Sequence, residues 1–306
     1  MLKSEIRKDY LLDKYVIITP GRIKRPHDIK EQSIIFRTSE CPFCLENVNS
    51  KNIIDSLKNF EKDQQIFGLK NLFPAVSIDN PMAYGMQEVI VETPNHDKEL
   101  YNLSEKHIEQ LLRFYAQRTL AISRDKKIDY ILCFKNQGSK AGASIVHAHS
   151  QILATTILPP EIKKELLLAK DYTKKHSHCP YCDIINKEMK SERKIFEDKN
   201  IASFTPYASQ YHYEVWLFTK RHLDNIAKLN DGEFISLAKI LKKVLVKLSQ
   251  LDLSFNFFLD QVISDKDQHF YLKIQPRDSI WAGVELGSGL VINSVVPEIA
   301  AKYYRK

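Results

Sequence analysis

The sequence lacks the features that mark membrane, secreted and nucleic-acid-binding proteins. It has no run of apolar residues long enough to span a bilayer, and its first residues do not form a secretory signal. Its net charge of +7 is carried by lysines spread along the chain rather than by one basic block. We therefore expect a cytoplasmic protein that binds neither membranes nor nucleic acid. The positive potential would still help to gather phosphorylated substrates.

Cysteine is scarce, with five residues in a chain of 306, and four of them form two Cys-Pro-x-Cys pairs. The pairs are Cys41 with Cys44 and Cys179 with Cys182, whereas Cys133 lies in an apolar run that predicts a buried position. In a cytoplasmic protein this spacing indicates metal binding or redox chemistry rather than a structural disulfide. Because Cys-Pro-Tyr-Cys also occurs as a thiol–disulfide active site, a single pair leaves both alternatives open.

The chain contains an internal repeat. Residues 88–96 match residues 214–222, since each stretch reads Glu-Val, then apolar residues typical of a strand, then Thr, and finally His. The same elements are predicted after each match. These are a helix over 104–124 or 230–251, followed by strands over 129–135 and 145–153 in the first half and over 254–260 and 269–275 in the second.

The repeat predicts an α+β fold made by tandem duplication. Ser104 and Asn230 are the expected N-caps of the two long helices, and Glu233 is placed to complete a capping box with Asn230. The predicted halves are residues 1–160 and 161–306, which join near Pro159 and Pro160 and are linked by a helix over 161–175.

Each half also contains two histidines that complete a set of four metal ligands. The order is the same in both halves: the cysteine pair, a His at the end of a strand, and a His on a later strand. Two thiolates and two imidazoles form a closed tetrahedral site, so we predict two structural zinc ions per chain, with iron as an alternative at one site. Because His176 and His178 lie beside Cys179, either of them can replace a histidine of the second set. The predicted ligands are Cys41, Cys44, His96 and His147, and Cys179, Cys182, His222 and His269.

The segment 136–151 contains the strongest catalytic signal. His147, His149 and Gln151 occupy alternate positions, which on a strand place all three side chains on one face. The glycine-rich residues just upstream can present backbone N–H groups to an anion. An imidazole beside such a cradle is suited to attack phosphorus. The alternative is a loop followed by a half-buried strand whose histidines have no chemical role.

These motifs resemble those of the galactose-1-phosphate uridylyltransferase family, the transferase branch of the histidine-triad superfamily. The resemblance rests on His-Ala-His-Ser-Gln at 147–151, on Gly-Ala-Ser at 142–144 and on the two cysteine pairs, and it extends from residue 21 to the C-terminus. Histidine-triad hydrolases have a third histidine where Gln151 stands here. The resemblance implies that each half is a histidine-triad-like unit, with an antiparallel sheet and packed helices.

The resemblance also implies roles for the matching residues. His149 is the expected nucleophile, which becomes nucleotidylated, and Gln151 and Ser144 are expected to hydrogen-bond the transferred phosphoryl oxygens. Tyr271 and Lys273 stand where His149 and Gln151 stand in the first half, so the second half is expected to be degenerate and non-catalytic. The implied substrate-binding residues are Asn136 and Gly142 at the nucleotide, Asn71 and Phe73 at the base and ribose, and Arg25 at a phosphate.

One departure from the family pattern concerns the substrate. The best-known uridylyltransferases carry a hexose-binding glutamine near the C-terminus, whereas residues 282–293 contain no glutamine. The Glu-x-Gly-x-Gly-x-x-Ile-Asn pattern that ends at Asn293 is more similar to ADP-glucose phosphorylases. We expect UDP-glucose—hexose-1-phosphate uridylyltransferase activity first and ADP-glucose phosphorolysis as the alternative. A dinucleotide hydrolase, disfavoured by Gln151, and a zinc-stabilised binding protein are further alternatives.

The expected reaction transfers a nucleoside monophosphate through a covalent nucleotidyl-histidine. A neutral imidazole suits an anionic phosphorus centre, provided that an acceptor holds the proton on its other nitrogen; a backbone carbonyl near His147 is the expected acceptor. The leaving sugar phosphate has a second pKa of about 6, so no general acid is required. The expected partners are UDP-glucose or ADP-glucose, a hexose 1-phosphate or inorganic phosphate, and a second copy of the chain in a homodimer.

Overall fold

The computed structural model describes residues 4–18, 20, 41–57 and 65–306. Within these residues the fold is α+β, as predicted, with thirteen strands and six α-helices. The strands are β1 Glu5–Lys8, β2 Tyr15–Ile18, β3 Ile53–Ser56, β4 Phe67–Lys70, β5 Gly85–Val91, β6 Tyr130–Gln137, β7 His149–Thr155, β8 Lys194–Glu197, β9 Ile201–Phe204, β10 Val215–Thr219, β11 Phe255–Asp260, β12 Tyr271–Pro276 and β13 Val291–Asn293. The helices are α1 Glu105–Ile122, α2 Pro160–His176, α3 Pro180–Glu188, α4 Asp231–Ser249, α5 Gly283–Ser288 and α6 Pro297–Arg305.

Ten of these strands form one antiparallel sheet in the order β3-β4-β5-β7-β6-β11-β12-β10-β9-β8. The second five strands repeat the first five in reverse order, which is the arrangement expected of a duplicated unit. The halves meet where β6 pairs with β11 and Phe134 lies opposite Phe258. The two predicted sheets are therefore joined edge to edge, so neither half exposes the inner edge of its sheet.

The long helices α1 and α4 pack against each other, and together they cover one face of the sheet. Both begin at the predicted caps: the Ser104 side chain accepts from the backbone N–H of His107, and Asn230 and Glu233 form the complete capping box. The largest apolar cluster draws buried residues from both halves, including Cys133, which is fully buried as predicted. The two long helices thus share one core across the boundary between the halves.

Residues from the two ends of the chain also cross the predicted boundary. Strands β1, β2 and β13 form a small separate sheet in which β2 and β13 run parallel, with Val16 opposite Val291. The linking helix is present as α2, and it begins at residue 160, where the halves were predicted to join. Division of the chain into a catalytic and a degenerate half remains a prediction. Among the described residues, none of the helices has both the length and the apolar character needed to cross a membrane.

The structural repeat is displaced by one residue from the match made by sequence. In the first half Val91 lies opposite His149, and in the second half Phe218 lies opposite Tyr271. The matching threonine follows Phe218 directly, but it follows Val91 only after Glu92. Matching the two Glu-Val dipeptides is therefore wrong by one position within the strands, and the first half contains one additional residue, Glu92.

Candidate active site and metal centres

The first cysteine pair and two histidines form a compact cluster on the sheet face opposite α1 and α4. Cys41 Sγ lies 3.5 Å from His147 Nδ1, and Cys44 Sγ lies 3.4 Å from His96 Nδ1 and 3.6 Å from His147 Nδ1. In a tetrahedral zinc site with bonds of about 2.3 Å to sulfur and 2.0 Å to nitrogen, such atoms lie about 3.5 Å apart. The spacing and the donor set therefore fit a four-coordinate metal ion.

The second cluster repeats this arrangement with slightly longer separations. Cys182 Sγ lies 3.9 Å from His222 Nδ1 and 3.7 Å from His269 Nδ1, and all four ligand atoms lie within 4.8 Å of one another. The neighbouring His178 contacts the Asp183 carboxylate instead, at 2.8 Å. The structure therefore groups His222 and His269 with the second cysteine pair and leaves His176 and His178 out of the cluster.

Backbone carbonyls orient the ligand histidines. His147 Nε2 lies 2.7 Å from the carbonyl oxygen of Thr93, and His269 Nε2 lies 2.7 Å from that of Thr219. A proton held on Nε2 leaves the Nδ1 lone pair free for a metal, which is the usual way in which a metal-binding imidazole is fixed. Thr93 and Thr219, which are the threonines shared by the two matched stretches, therefore orient these histidines through their backbone carbonyls.

His149 begins strand β7, later than the predicted strand start at residue 145, and His147 lies in the loop before the strand. The Nδ1 atom of His149 donates to the backbone carbonyl of His147 at 2.8 Å, so a carbonyl occupies the predicted acceptor position. The ring is buried and packs against Phe43, from the first Cys-Pro-x-Cys loop, at a centroid distance of 4.9 Å. Burial, together with the nearby charge of Lys135, lowers the pKa of His149 and favours the neutral imidazole.

Gln151 lies two residues further along β7 and on the same face as His149. Its Oε1 accepts from Gln87 Nε2 at 3.4 Å, and Gln87 Oε1 in turn accepts from the backbone N–H of Ala75 at 2.8 Å. Gln87 therefore connects Gln151 to the turn that begins at Asn71, whose side chain accepts from the N–H of Phe73. The sequence analysis missed Gln87, because nothing in the motif marks it.

The remaining predicted substrate-binding residues differ in their contacts and in their exposure to solvent. Asn136 accepts from Asn256 Nδ2 at 2.8 Å, so the second half contacts one of the predicted nucleotide-binding residues. Gly142 adopts the left-handed conformation at φ +83°, which favours glycine. Ser144 is exposed in the loop before His147, and Phe73 is 91% exposed rather than enclosed in a pocket. Arg25 lies outside the described residues.

A buried ion pair lies behind His149, on the side of the sheet that faces α1. Lys135 Nζ lies 2.8 Å from Glu92 Oε2 and 3.3 Å from Glu99 Oε2, and it also donates to the backbone carbonyl of His149 at 3.3 Å. The Tyr115 hydroxyl donates to Glu92 as well, at 3.2 Å. The side chains of Lys135 and Glu92 are 1% and 0% exposed. The sequence signal was a lysine within an apolar strand, which the sequence analysis did not use.

This ion pair has no equivalent in the second half. Phe134 lies opposite Gln151 and Phe258 lies opposite Lys273, so Leu259 stands where the first half has Lys135. The partner of Lys135, Glu92, is the additional residue of the first half. The hydrogen bond from a buried, ion-paired lysine to the backbone of the motif strand is therefore specific to the half that contains His149.

Replacement of Lys135 by Met should destabilise the protein by about 3–5 kcal/mol, because the Glu92 carboxylate would remain buried without its cation. Adding Glu92→Gln should recover part of this loss. Lys174→Met removes a lysine from an exposed pair on α2 and should change stability by less than about 0.5 kcal/mol. Urea unfolding monitored by circular dichroism gives the free energies; similar losses in Lys135→Met and Lys174→Met would contradict this prediction.

Comparison with known proteins identifies the family. Residues 23–158 match the family described as the N-terminal domain of DUF4931, a domain of unknown function. An ADP-glucose phosphorylase of Arabidopsis thaliana is 30% identical over 328 aligned residues, which cover 99% of this chain and 92% of that protein. A galactose-1-phosphate uridylyltransferase of Thermotoga maritima is 30% identical over 329 aligned residues, which cover 99% of this chain and 98% of that protein.

Solved structures agree with the sequence comparisons. The crystal structure of the A. thaliana ADP-glucose phosphorylase with bound ADP-glucose matches with a TM-score of 0.86 at 30% identity, covering 99% of both chains. A uridylyltransferase structure matches with a TM-score of 0.77 at 27% identity, covering 98% of this chain and 97% of that one. The chain belongs to the family that contains the galactose-1-phosphate uridylyltransferases and the ADP-glucose phosphorylases.

Proposed function

We propose that this protein is a nucleotidylyltransferase that acts on nucleotide sugars through a covalent nucleotidyl-His149 intermediate. The observation that carries the proposal is the hydrogen bond from His149 Nδ1 to the His147 carbonyl, which leaves the Nε2 lone pair for attack on phosphorus. Family membership independently supports a nucleotidyl transfer.

The proposed reaction has two steps, each of which forms one bond to phosphorus and breaks another. In the first, Nε2 of His149 attacks the α-phosphorus of the nucleotide sugar, and the bond from phosphorus to the hexose 1-phosphate oxygen breaks with its electron pair. In the second, an oxygen of the acceptor phosphate attacks the same phosphorus, and the bond to Nε2 breaks. Neither step needs a general acid, since both leaving groups are stable near neutral pH.

Gln151 and Ser144 are proposed to stabilise the phosphoryl oxygens during both steps. Because Gln151 Oε1 accepts from Gln87, the amide nitrogen of Gln151 is the end that can donate to substrate. By analogy with oxyanion-hole deletions, loss of one such donor costs about 3 kcal/mol of barrier. A glutamine supplies a donor without a base for water, which favours transfer over hydrolysis.

The first candidate reaction is UDP-glucose—hexose-1-phosphate uridylyl transfer, and the second is ADP-glucose phosphorolysis. Relatives with both activities in their names match the chain at 30% identity, and the C-terminal pattern favours the second. Asn293 of that pattern, however, is buried and donates to the backbone carbonyl of Ser209 at 2.8 Å. Because this part of the pattern serves the fold, it says little about the substrate, and we keep uridylyl transfer first.

We further propose that both Cys/His clusters hold structural zinc, with iron as an alternative at one of them. The four protein ligands close each site, so the metal would fix the Cys-Pro-x-Cys loop to the sheet and would not bind substrate. Such thiolate ligands require reduced cysteines, which agrees with the proposed cytoplasmic location. A homodimer is proposed from the family resemblance alone.

The purified protein should contain about two metal ions per chain, as measured by elemental analysis. Cys41→Ser and Cys182→Ser should each lose one ion, and Cys41→Ser should also lower the melting temperature because metal binding is coupled to folding. Cys133→Ala alters the fully buried cysteine outside both clusters and should keep both ions. A metal-free protein would contradict the proposal, and a single ion lost only in Cys41→Ser would remove the second site from it.

A nucleotide sugar labelled in its α-phosphate should leave its label on His149. The protein should release hexose 1-phosphate before any acceptor is added, in a burst of about one equivalent per active site. Peptide mass analysis after a mildly basic quench locates the label. The rates of labelling by UDP-glucose and by ADP-glucose are compared. The nucleotide sugar that labels His149 faster decides between the two candidate reactions.

Matched variants test this assignment. His149→Gly should lose the burst but keep its metal, whereas His147→Ala should lose both. Tyr271→Phe changes the position in the second half that corresponds to His149 and should keep most of the activity. Turnover without a retained label, or a label on another residue, would show that His149 is not the nucleophile.

A further inference from the structure

A cavity of about 350 Å³, lined mainly by the second half and closed by residues 9–14, lies at the position that corresponds to His149 and Gln151 in the first half. Tyr271 and Lys273, which stand in the places of His149 and Gln151, both line it, as do Trp216 and Trp281. This volume lies within the range of about 300–1,000 Å³ that is typical of small-molecule sites. The side chains of Tyr271 and Lys273 therefore leave a space of ligand size beside them.

Two buried polar groups at this cavity have no hydrogen-bond partner among the described residues: Oε2 of Glu165 and Nε1 of Trp281. The Glu165 residue is only 7% exposed, and burial raises the pKa of its carboxyl to about 7. Buried polar groups in native proteins nearly always have partners, and a polar ligand or an ordered water in the cavity can supply one to this acceptor and this donor.

The charges around the cavity restrict the class of that ligand. Lys273 forms an ion pair with Asp260 at 2.8 Å, and its ammonium group lies over the rings of Tyr271 and Trp216. The faces of these two rings, which could otherwise bind a cation, are therefore already covered by the lysine. This arrangement disfavours an organic cation. The cavity lining contains more carboxylates than amines, and this excess of negative charge disfavours a phosphate. The carboxylates are Asp9, Glu161, Glu165, Glu214 and Asp260, and the amines are Lys14 and Lys273. The charges therefore favour a neutral ligand.

The aromatic geometry favours a sugar over a nucleobase. Tyr211 and Trp281 are stacked on each other, with centroids 5.4 Å apart and planes at 13°, so no open slot separates the two rings for a planar base. Aromatic faces pack well against the C–H face of a pyranose, and carboxylates accept strong hydrogen bonds from its hydroxyls. We propose that this cavity binds a neutral polyhydroxylated ring of the class of a free hexose.

The two tryptophans of the chain make the proposal directly testable, because both Trp216 and Trp281 line the cavity. Titration of the full-length protein with D-glucose or D-galactose should change the tryptophan fluorescence saturably, with half-saturation on the order of 1 mM. Uridine, tetramethylammonium and inorganic phosphate should give no saturable change at the same concentrations. Isothermal titration calorimetry provides a second readout if the bound state does not alter the fluorescence.

Variants connect the signal to the cavity. Glu165→Gln keeps the side-chain shape but loses the charged acceptor, and it should weaken hexose binding at least about tenfold. Asp171→Asn removes an exposed carboxylate from the same helix and should bind like the unmodified protein. His149→Gly should also keep the fluorescence response, because His149 does not line the cavity. Failure of the hexose proposal can therefore be distinguished from failure of the proposed transfer reaction.

No hexose binding by either method, or equal binding by Glu165→Gln, would overturn the proposal. Saturation by uridine, the organic cation or phosphate in place of the hexoses would overturn it equally and assign the cavity to that other class of ligand.

Discussion

The arrangement of the first half depends on the backbone at His147. The side chain of this residue belongs to the first Cys/His cluster, and its carbonyl oxygen accepts the Nδ1–H of His149. A single residue therefore links this candidate metal site to the orientation of the proposed nucleophile. The Cys41–Cys44 loop reinforces the link, because Phe43 packs on the His149 ring. A metal that holds this loop in place would thus position the reacting nitrogen without contacting substrate.

The two halves share this framework but use buried charge differently. In the first half Lys135 and Glu92 lie behind strand β7, on the face that packs against the helices and away from the His149 side chain. In the second half Lys273 lies on the same face as Tyr271 and is paired with Asp260. The buried lysine of the first half therefore supports the β7 backbone, whereas that of the second half lines a cavity.

Local sequence patterns predicted the parts of the fold that depend on local physical chemistry. Cap residues Ser104 and Asn230 marked two helix starts because their side chains satisfy backbone donors a few residues away. The metal sets were recognisable because Cys and His have few other reasons to recur in one order. The duplication made the α+β class predictable, since each half must build the same unit.

Long-range pairing could not be predicted in the same way. Alternation of residue types does not reveal that β6 and β11 adjoin, because either strand could be an edge. The additional residue Glu92 became visible only from the sheet register. Gln87 and Lys135 depend on partners that lie far along the chain, and Phe73 is exposed where the resemblance implied a pocket.

The hydrogen bond from His149 to the His147 carbonyl should hold the proton on Nδ1 and direct Nε2 at phosphorus. Two-dimensional phosphorus–nitrogen NMR of the trapped intermediate, prepared with ¹⁵N-labelled histidine, identifies the nitrogen bonded to phosphorus. We expect a phosphoramidate at Nε2, with Nδ1 still protonated. A phosphorus bonded to Nδ1 would contradict it, since that nitrogen is occupied by the hydrogen bond to the His147 carbonyl.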